Sequence, residues 1–135
     1  MADSLWMKLR EVPWDQFKAN PGTDKKVPKM LENLVSRKEP RAMKASHELW
    51  AALCSGNIAP AAKPSIPFLI EILSTSQPSV QSEILDILLK FTQEPQLLSE
   101  LKRGGYVFRK LSRSRDDVVA EKATMMLTAF EKSDL

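Results

Sequence analysis

The side chains that most often perform catalysis or hold metals are scarce in this chain. It has one histidine, His47, and one cysteine, Cys54, which excludes a two-histidine zinc motif and a cluster of thiolates. It also lacks a glycine-rich phosphate loop followed by Lys-Ser or Lys-Thr, and it lacks a nucleophile elbow. Composition alone leaves a Ser, His, Asp arrangement open. We predict a protein that is not an enzyme and that uses no metal or cofactor.

The single cysteine also bears on the compartment. Cys54 excludes an intrachain disulfide and suits a reducing environment. It stands beside Leu53 in the apolar tail of a predicted helix. We therefore expect a buried, inert thiol rather than a reactive one.

A run of basic residues near the end of the sequence could bind an anion. It contains no acid and consists of Lys102, Arg103, Arg109, Lys110, Arg113 and Arg115, interleaved with Tyr106 and Phe108. Clusters of this kind can bind phosphate backbones or single strands. Phe108, however, falls on a predicted buried stripe, which leaves Tyr106 as the candidate stacking platform. The net charge of +3 does not by itself imply nucleic acid. Because the chain is also too short for a repeat array that cradles a duplex, we rank nucleic acid below a protein as the partner.

A second polar feature recurs on one side of three predicted helices, away from their apolar stripes. We call it the polar strip, and it consists of Lys44, His47 and Glu48, then Glu83, Asp86 and Lys90, then Glu121, Thr124 and Thr128. Its acidic centre would suit a basic partner, but an ordinary solvated face explains the same pattern. His47 could make its charge pH-dependent, although a lone helical histidine is more often a plain surface residue.

The helices that would position these residues follow from hydrophobic spacing. Residues 66–91 hold two apolar stripes at three-and-four spacing, separated by a turn of Ser, Thr and Pro. Together they predict two amphipathic helices in an αα-hairpin. The stripes are Ile66, Leu69, Ile70 and Leu73, and then Val80, Ile84, Leu85, Leu88 and Leu89.

The same pattern recurs on both sides of this hairpin, at a period of about 40 residues. The copy that precedes the hairpin consists of Val27, Met30, Leu31 and Leu34 in its first helix and of Leu49 and Trp50 in its second. The copy that follows the hairpin consists of Val107, Phe108 and Leu111 in its first helix and of Met126 and Leu127 in its second. Chance overlap of stripes is the alternative, but the turn recurs as well. Three copies predict a helical solenoid with repeat units at 23–55, 62–93 and 95–132.

Residues 1–22 are predicted to form an N-terminal cap of one or two short helices. Their apolar residues are Leu5, Trp6, Leu9, Val12, Trp14 and Phe17, and such bulk would cover the open end of a stack. Trp6 and Trp14 could instead form an exposed patch for a partner. Asp24 is expected to cap the helix that follows. The chain, 1–135, is therefore expected to be one all-α domain, a short α-solenoid of about three helical-hairpin repeats behind a cap.

The fractions of apolar and charged residues are ordinary for a soluble globular protein. Apolar residues make up 43% and charged residues 27% of the chain. The first residues mix acids and bases without a long apolar core, so they do not form a secretory signal. No stretch approaches the ~20 apolar residues that cross a bilayer. We expect a cytoplasmic protein that does not bind membranes.

Two stretches resemble known repeat families. The segment GGYVFRKLSRSRDDVVAEKATMMLTAF resembles an armadillo unit, and IPFLIEIL resembles the opening helix of a HEAT unit. From Trp14 through VPKMLENL to IPFLIEIL, the chain is similar to small bacterial HEAT-like proteins, several of which accompany secreted toxins as immunity partners. In such stacks the second helices line the concave surface, so the polar strip would be continuous there. The resemblance covers about nine tenths of the chain, but repeat motifs fix a fold rather than a function.

The resemblance implies an immunity protein that binds a cognate toxin domain of a contact-dependent or polymorphic system and occludes its active site. One alternative is a generic armadillo or HEAT adaptor for a protein partner. The last long helix has no Asn or Trp, the residues that line the eukaryotic armadillo peptide groove, which weakens the peptide-groove form of that alternative. The other alternative is nucleic-acid binding through the basic run. The sequence does not determine the oligomeric state.

Overall fold

The computed structural model describes residues 2–18 and 27–133. In these ranges the chain is all-helical and contains no β-strand, which confirms the predicted fold class at the level of secondary structure. The α-helices are α1 (Ala2–Glu11), α2 (Val27–Leu34), α3 (Glu39–Leu53), α4 (Ala62–Thr75), α5 (Pro78–Phe91), α6 (Leu98–Lys102), α7 (Gly105–Leu111) and α8 (Asp117–Ser133). Over the same residues, no helix combines the length and apolarity that crossing a membrane requires.

The helices pack mainly as sequence neighbours. Helix α2 lies against α3, α4 against α5, and α7 against α8. The later helix of each pair also contacts the next such helix, so that α3 packs on α5 and α5 on α8. Helix α4 also contacts α2 and α6. The identity of these pairs as the predicted solenoid repeats stays a prediction.

The apolar stripes form one hydrophobic core, as their spacing predicts. From the first helix of each pair, all the predicted stripe residues are buried: Val27, Met30, Leu31, Leu34, Ile66, Leu69, Ile70, Leu73, Val107, Phe108 and Leu111. From the later helices, Leu49, Leu88 and Met126 are buried at equivalent positions. Burial of these stripes against one another is what holds the helix pairs together.

Several helix ends are stabilised by prolines in the first turn or by side chains that hydrogen-bond to the backbone. Pro40 and Pro78 lie in the first turns of α3 and α5, where a missing backbone N–H costs little. The Val119 N–H donates to Asp116 Oδ1 at 3.0 Å, so Asp116 caps α8, a role for which the residue types of Asp116 and Asp117 are both suited. At the end of α4, the buried Gln81 donates from Nε2 to the Leu73 carbonyl at 3.0 Å. Asp24, the cap predicted for α2, lies outside the described residues.

The N-terminal segment packs on α4 through Trp14. This residue is buried, donates from Nε1 to the Leu9 carbonyl at 2.8 Å, and places its ring 6.1 Å from that of Phe68. The Ala61 N–H also donates to the Lys18 carbonyl at 2.8 Å. Trp14 is therefore a core residue and not an exposed patch. The side chains of Leu5 and Trp6 lie outside the described residues.

Trp50 differs from its prediction. The repeat alignment placed it with Leu49 on the buried side of α3, but its side chain is 40% exposed, whereas Leu49 is fully buried. Consecutive residues on an α-helix point about 100° apart, so the two cannot share the centre of one face. Leu49 takes the centre and Trp50 lies at the margin of the stripe.

The stretch between α5 and α7 is less regular than its residue types predict. The position of Pro95 predicts the start of one helix, and Gly104-Gly105 predicts its break. Instead, a 3-10 helix at Pro95–Leu97 precedes the short α6, and the break lies at Arg103 and Gly104, so Gly105 already belongs to α7. Leu97 and Leu101 are the buried residues that fix this stretch against the core.

Gly104 brings the backbone into close contact with α4. A Cβ added at this position would lie 2.6 Å from Ile70 Cδ1 and 3.0 Å from Ile70 Cγ2. Real Cβ atoms do not approach this closely, so Ile70 would have to move within a close-packed core.

We expect Gly104→Ala to lower the free energy of unfolding by about 1–3 kcal/mol, because it overpacks this contact. Urea denaturation measures the effect. The neighbouring Gly105→Ala is the matched control, since its Cβ would meet only the end of the exposed Arg109 side chain, at 3.1 Å. Equal stability of the two variants would show that the contact between Gly104 and Ile70 is not tight.

Candidate functional site

A surface depression crosses α3, α5 and α8. Helix α5 lies between the other two and contacts both. Its volume is about 590 Å³. Its polar lining includes His47 from α3 and Glu83, Asp86 and Lys90 from α5. Its apolar lining includes Trp50, Ile87, Leu89, Met125 and Ala129. Three helices therefore contribute both polar and apolar side chains to one concave surface.

A second depression, of about 480 Å³, continues along α8. It shares Met125 and Ala129 with the first, so the two form one surface, which we call the groove. Glu121, Thr124 and Thr128 line this second part. The Oγ1 hydroxyls of both threonines donate to backbone carbonyls of α8, at 2.8 and 3.0 Å, so the donor of each hydroxyl is used within the helix.

Most of the predicted polar strip lies in the groove. The residues that line it are His47, Glu83, Asp86, Lys90, Glu121, Thr124 and Thr128. Lys44 is exposed and Glu48 is half-buried on α3, and neither lines the two depressions. Seven of the nine strip residues therefore lie on one concave surface. Its role in binding a partner stays a prediction.

The acidic centre of the strip is partly compensated by a lysine that sequence reasoning missed. Lys122 Nζ lies 2.9 Å from Asp86 Oδ1 and donates to Ser82 Oγ at 2.7 Å. This contact ties α8 to α5. Glu83 has a weaker partner, His47, whose Nε2 lies 3.6 Å from Glu83 Oε1 and carries a charge only when protonated. Glu83 therefore lacks a permanently charged partner among the described residues, in contrast to Asp86.

The groove also exposes large apolar side chains. Trp50 is 40% exposed and Met125 is 50% exposed, and both line the first depression. Leu89 is partly buried beside them. Exposed apolar residues gathered in a concavity and rimmed by polar ones mark interaction surfaces more often than scattered exposed residues do. The sequence missed Trp50 as a site residue because its apolar character and spacing assigned it to the core.

The basic run lies on a different surface. Phe108 is fully buried, as predicted, while Tyr106 is 67% exposed. Arg109, Lys110, Arg113 and Arg115 are exposed, and Lys102 is half-buried. Arg103 Nη1 lies 3.5 Å from Glu100 Oε2. No residue of the run lines the groove.

Cys54 is buried at the end of α3, as its apolar surroundings predict. Burial raises the pKa of the Cys54 thiol from 9.0 to about 12, and the positive charge of Lys90 acts weakly in the opposite direction. The thiol is therefore protonated at neutral pH. Since the thiolate is the nucleophilic form, Cys54 is unreactive in the folded protein.

We expect the native protein to resist thiol reagents at about pH 8 and the urea-unfolded chain to react fully. Burial favours the neutral thiol, so this contribution to stability is complete below pH 9.0 and is lost as the pH rises toward 12. Spectrophotometric thiol titration with and without urea makes the comparison. Equally fast labelling of both forms would show that Cys54 is accessible.

Over the described residues, no three His, Cys, Asp or Glu side chains come together as a metal site. The fold and the groove define the chain as an all-helical protein with an amphipathic surface groove. No family model, curated protein or solved structure matches it.

Proposed function

We propose that this chain is a short α-solenoid that binds another protein through the groove. The observation that carries the proposal is the joint exposure of Trp50 and Met125 in one concavity formed by three helices. Tryptophan is among the residues that contribute most to binding energy at protein interfaces. Methionine adapts its flexible side chain to the shape of a partner.

The solenoid architecture has two supports. The later helices of the three pairs contact one another in chain order, which is the neighbour-to-neighbour packing of stacked repeats. In addition, Lys122 of α8 donates a hydrogen bond to Ser82 of α5, so the later helices of the second and third pairs also contact each other through polar side chains.

The polar rim supports an interface rather than a small-molecule site. Polar residues around apolar anchors exclude water from the anchors and add specificity. Glu83, without a permanently charged partner, is available to an arginine or lysine of the partner. Such a pair speeds the encounter of the two proteins more than it adds affinity.

The specific form of the proposal is a cytoplasmic immunity protein that neutralises a cognate bacterial toxin. It is supported by the resemblance to small HEAT-like immunity proteins and by the rigid helical walls of the groove. A rigid concave surface that clasps the toxin beside its active site blocks access of the substrate. Because the inhibitor acts in the cytoplasm, the toxin must act there too.

The test is coexpression with the toxin domain encoded next to this gene in its native host. We expect the chain to restore growth and to copurify with the toxin as a stable complex. Failure to protect, together with failure to bind any toxin domain encoded beside it, would overturn the immunity proposal. If the chain instead binds a non-toxic protein of the host through the groove, the adaptor alternative is correct.

A further inference from the structure

A large share of the positive charge of this chain lies in one segment without acids. The chain has 20 Lys and Arg against 17 Asp and Glu, for a net charge of +3. Six of the cations lie between Lys102 and Arg115, where there is no acid. Without that segment the chain has 14 cations against 17 acids, so its net charge is −3. The sign of the net charge of the chain therefore depends on this segment.

Helix α7 organises this basic surface. Val107, Phe108 and Leu111 turn into the core, which leaves the opposite side of the helix to solvent. The Arg113 N–H donates to the Lys110 carbonyl at 3.1 Å, so the helical path continues beyond Leu111. We call the outward side of this turn the basic face, and it consists of Tyr106, Arg109, Lys110 and Arg113.

The cations of the basic face are not neutralised by the protein itself. Among the described residues, Arg109, Lys110 and Arg113 have no acidic partner within salt-bridge distance, in contrast to Arg103 and Lys122. Tyr106 stands among them with 67% of its side chain exposed, so it contributes little to the core. An exposed aromatic ring among unpaired guanidinium groups is poorly explained by stability.

We propose that the basic face binds single-stranded nucleic acid. Its cations contact successive phosphates, and one unpaired base stacks on the Tyr106 ring. An acidic protein would pair with the cations but would not need the ring. A duplex would offer phosphates, but its bases are already stacked on one another and cannot cover Tyr106. The basic face shares no residue with the groove, so the inference is independent of the proposed function.

The test is fluorescence anisotropy with a labelled single-stranded oligonucleotide of mixed sequence at low ionic strength. We expect Tyr106→Ala to weaken binding about tenfold through the lost stacking. We expect Arg109→Gln with Arg113→Gln to weaken it as well and to reduce the slope of log K against log salt by about 1.4, since two phosphate contacts are removed. All three residues are exposed, so circular dichroism should show unchanged folding.

The matched control is Arg37→Gln with Arg41→Gln, which removes the same charge from exposed positions around the start of α3. It should leave the affinity and the salt slope nearly unchanged. No binding up to about 100 µM, the weak limit of non-specific nucleic-acid affinities, would overturn the inference. A loss of affinity in the control pair equal to that in the Arg109 and Arg113 pair would overturn it too. So would unchanged affinity in Tyr106→Ala if polyglutamate also competed for the protein as well as an unlabelled oligonucleotide does.

Discussion

Trp50→Ala is expected to weaken the complex with the protein partner by at least about 30-fold. Truncation of a tryptophan at the centre of an interface typically costs 2 kcal/mol or more, which corresponds to that factor. The reason is the position of Trp50, whose ring lies in the groove between α3 and α5 with 40% of the side chain exposed. Isothermal titration calorimetry with the purified partner measures the change.

Tyr106→Ala is the control for this experiment, because Tyr106 is also an exposed aromatic residue but lies away from the groove. It should leave the affinity for the protein partner unchanged, and both variants should keep their helical content. Full affinity in Trp50→Ala would show that the partner binds elsewhere. An equal loss of affinity in the two variants would mean that the experiment does not locate the interface in the groove.

The second large effect concerns the packing of α7 on α8. Phe108→Ala is expected to lower the free energy of unfolding by about 3–5 kcal/mol, because it leaves a cavity in the core. Phe108 is fully buried, and its ring lies 5.8 Å from that of Phe130 at an interplanar angle of 59°. Domains are typically stable by only about 5–15 kcal/mol, so the loss is a large fraction of the total. Chemical denaturation followed by circular dichroism measures it.

A double-mutant cycle tests whether the two rings interact directly. With Phe130→Ala and the double variant, we expect a coupling energy of about 0.5–1.5 kcal/mol, as for tilted aromatic pairs. Additive losses would mean that the rings contribute only by filling space. A cost below about 1 kcal/mol for Phe108→Ala would contradict its burial.

The helices and their buried faces could be predicted because they depend on periodicity within the sequence. Leu69 and Phe108 are buried where the three-and-four spacing placed them, and Asp116 caps α8 as its residue type indicates. These features follow from the local chain and need no knowledge of neighbouring helices. The same period places His47 on the polar side of α3 and Glu83 on that of α5, but their contact depends on how the two helices pack.

Features that depend on the distance between helices could not be predicted. Lys122 pairs with Asp86 and Ser82 only because α8 lies against α5 at that point, and nothing in the sequence near Lys122 indicates it. Trp50 was assigned to the core because hydrophobicity identifies an apolar face but not the position of its edge. Which residue at the edge stays in solvent depends on how closely the next helix approaches.

The walls of the groove come mainly from α3, α5 and α8, and only Thr92 and Gln93 belong to a connecting turn. Its shape is therefore set before any partner arrives, and the protein orders little of its own backbone on association. Only the rotamers of a few side chains, such as those of Trp50 and Met125, are restricted. Most of the entropic cost of forming the complex then falls on the partner, so a partner that is itself rigid would bind most tightly.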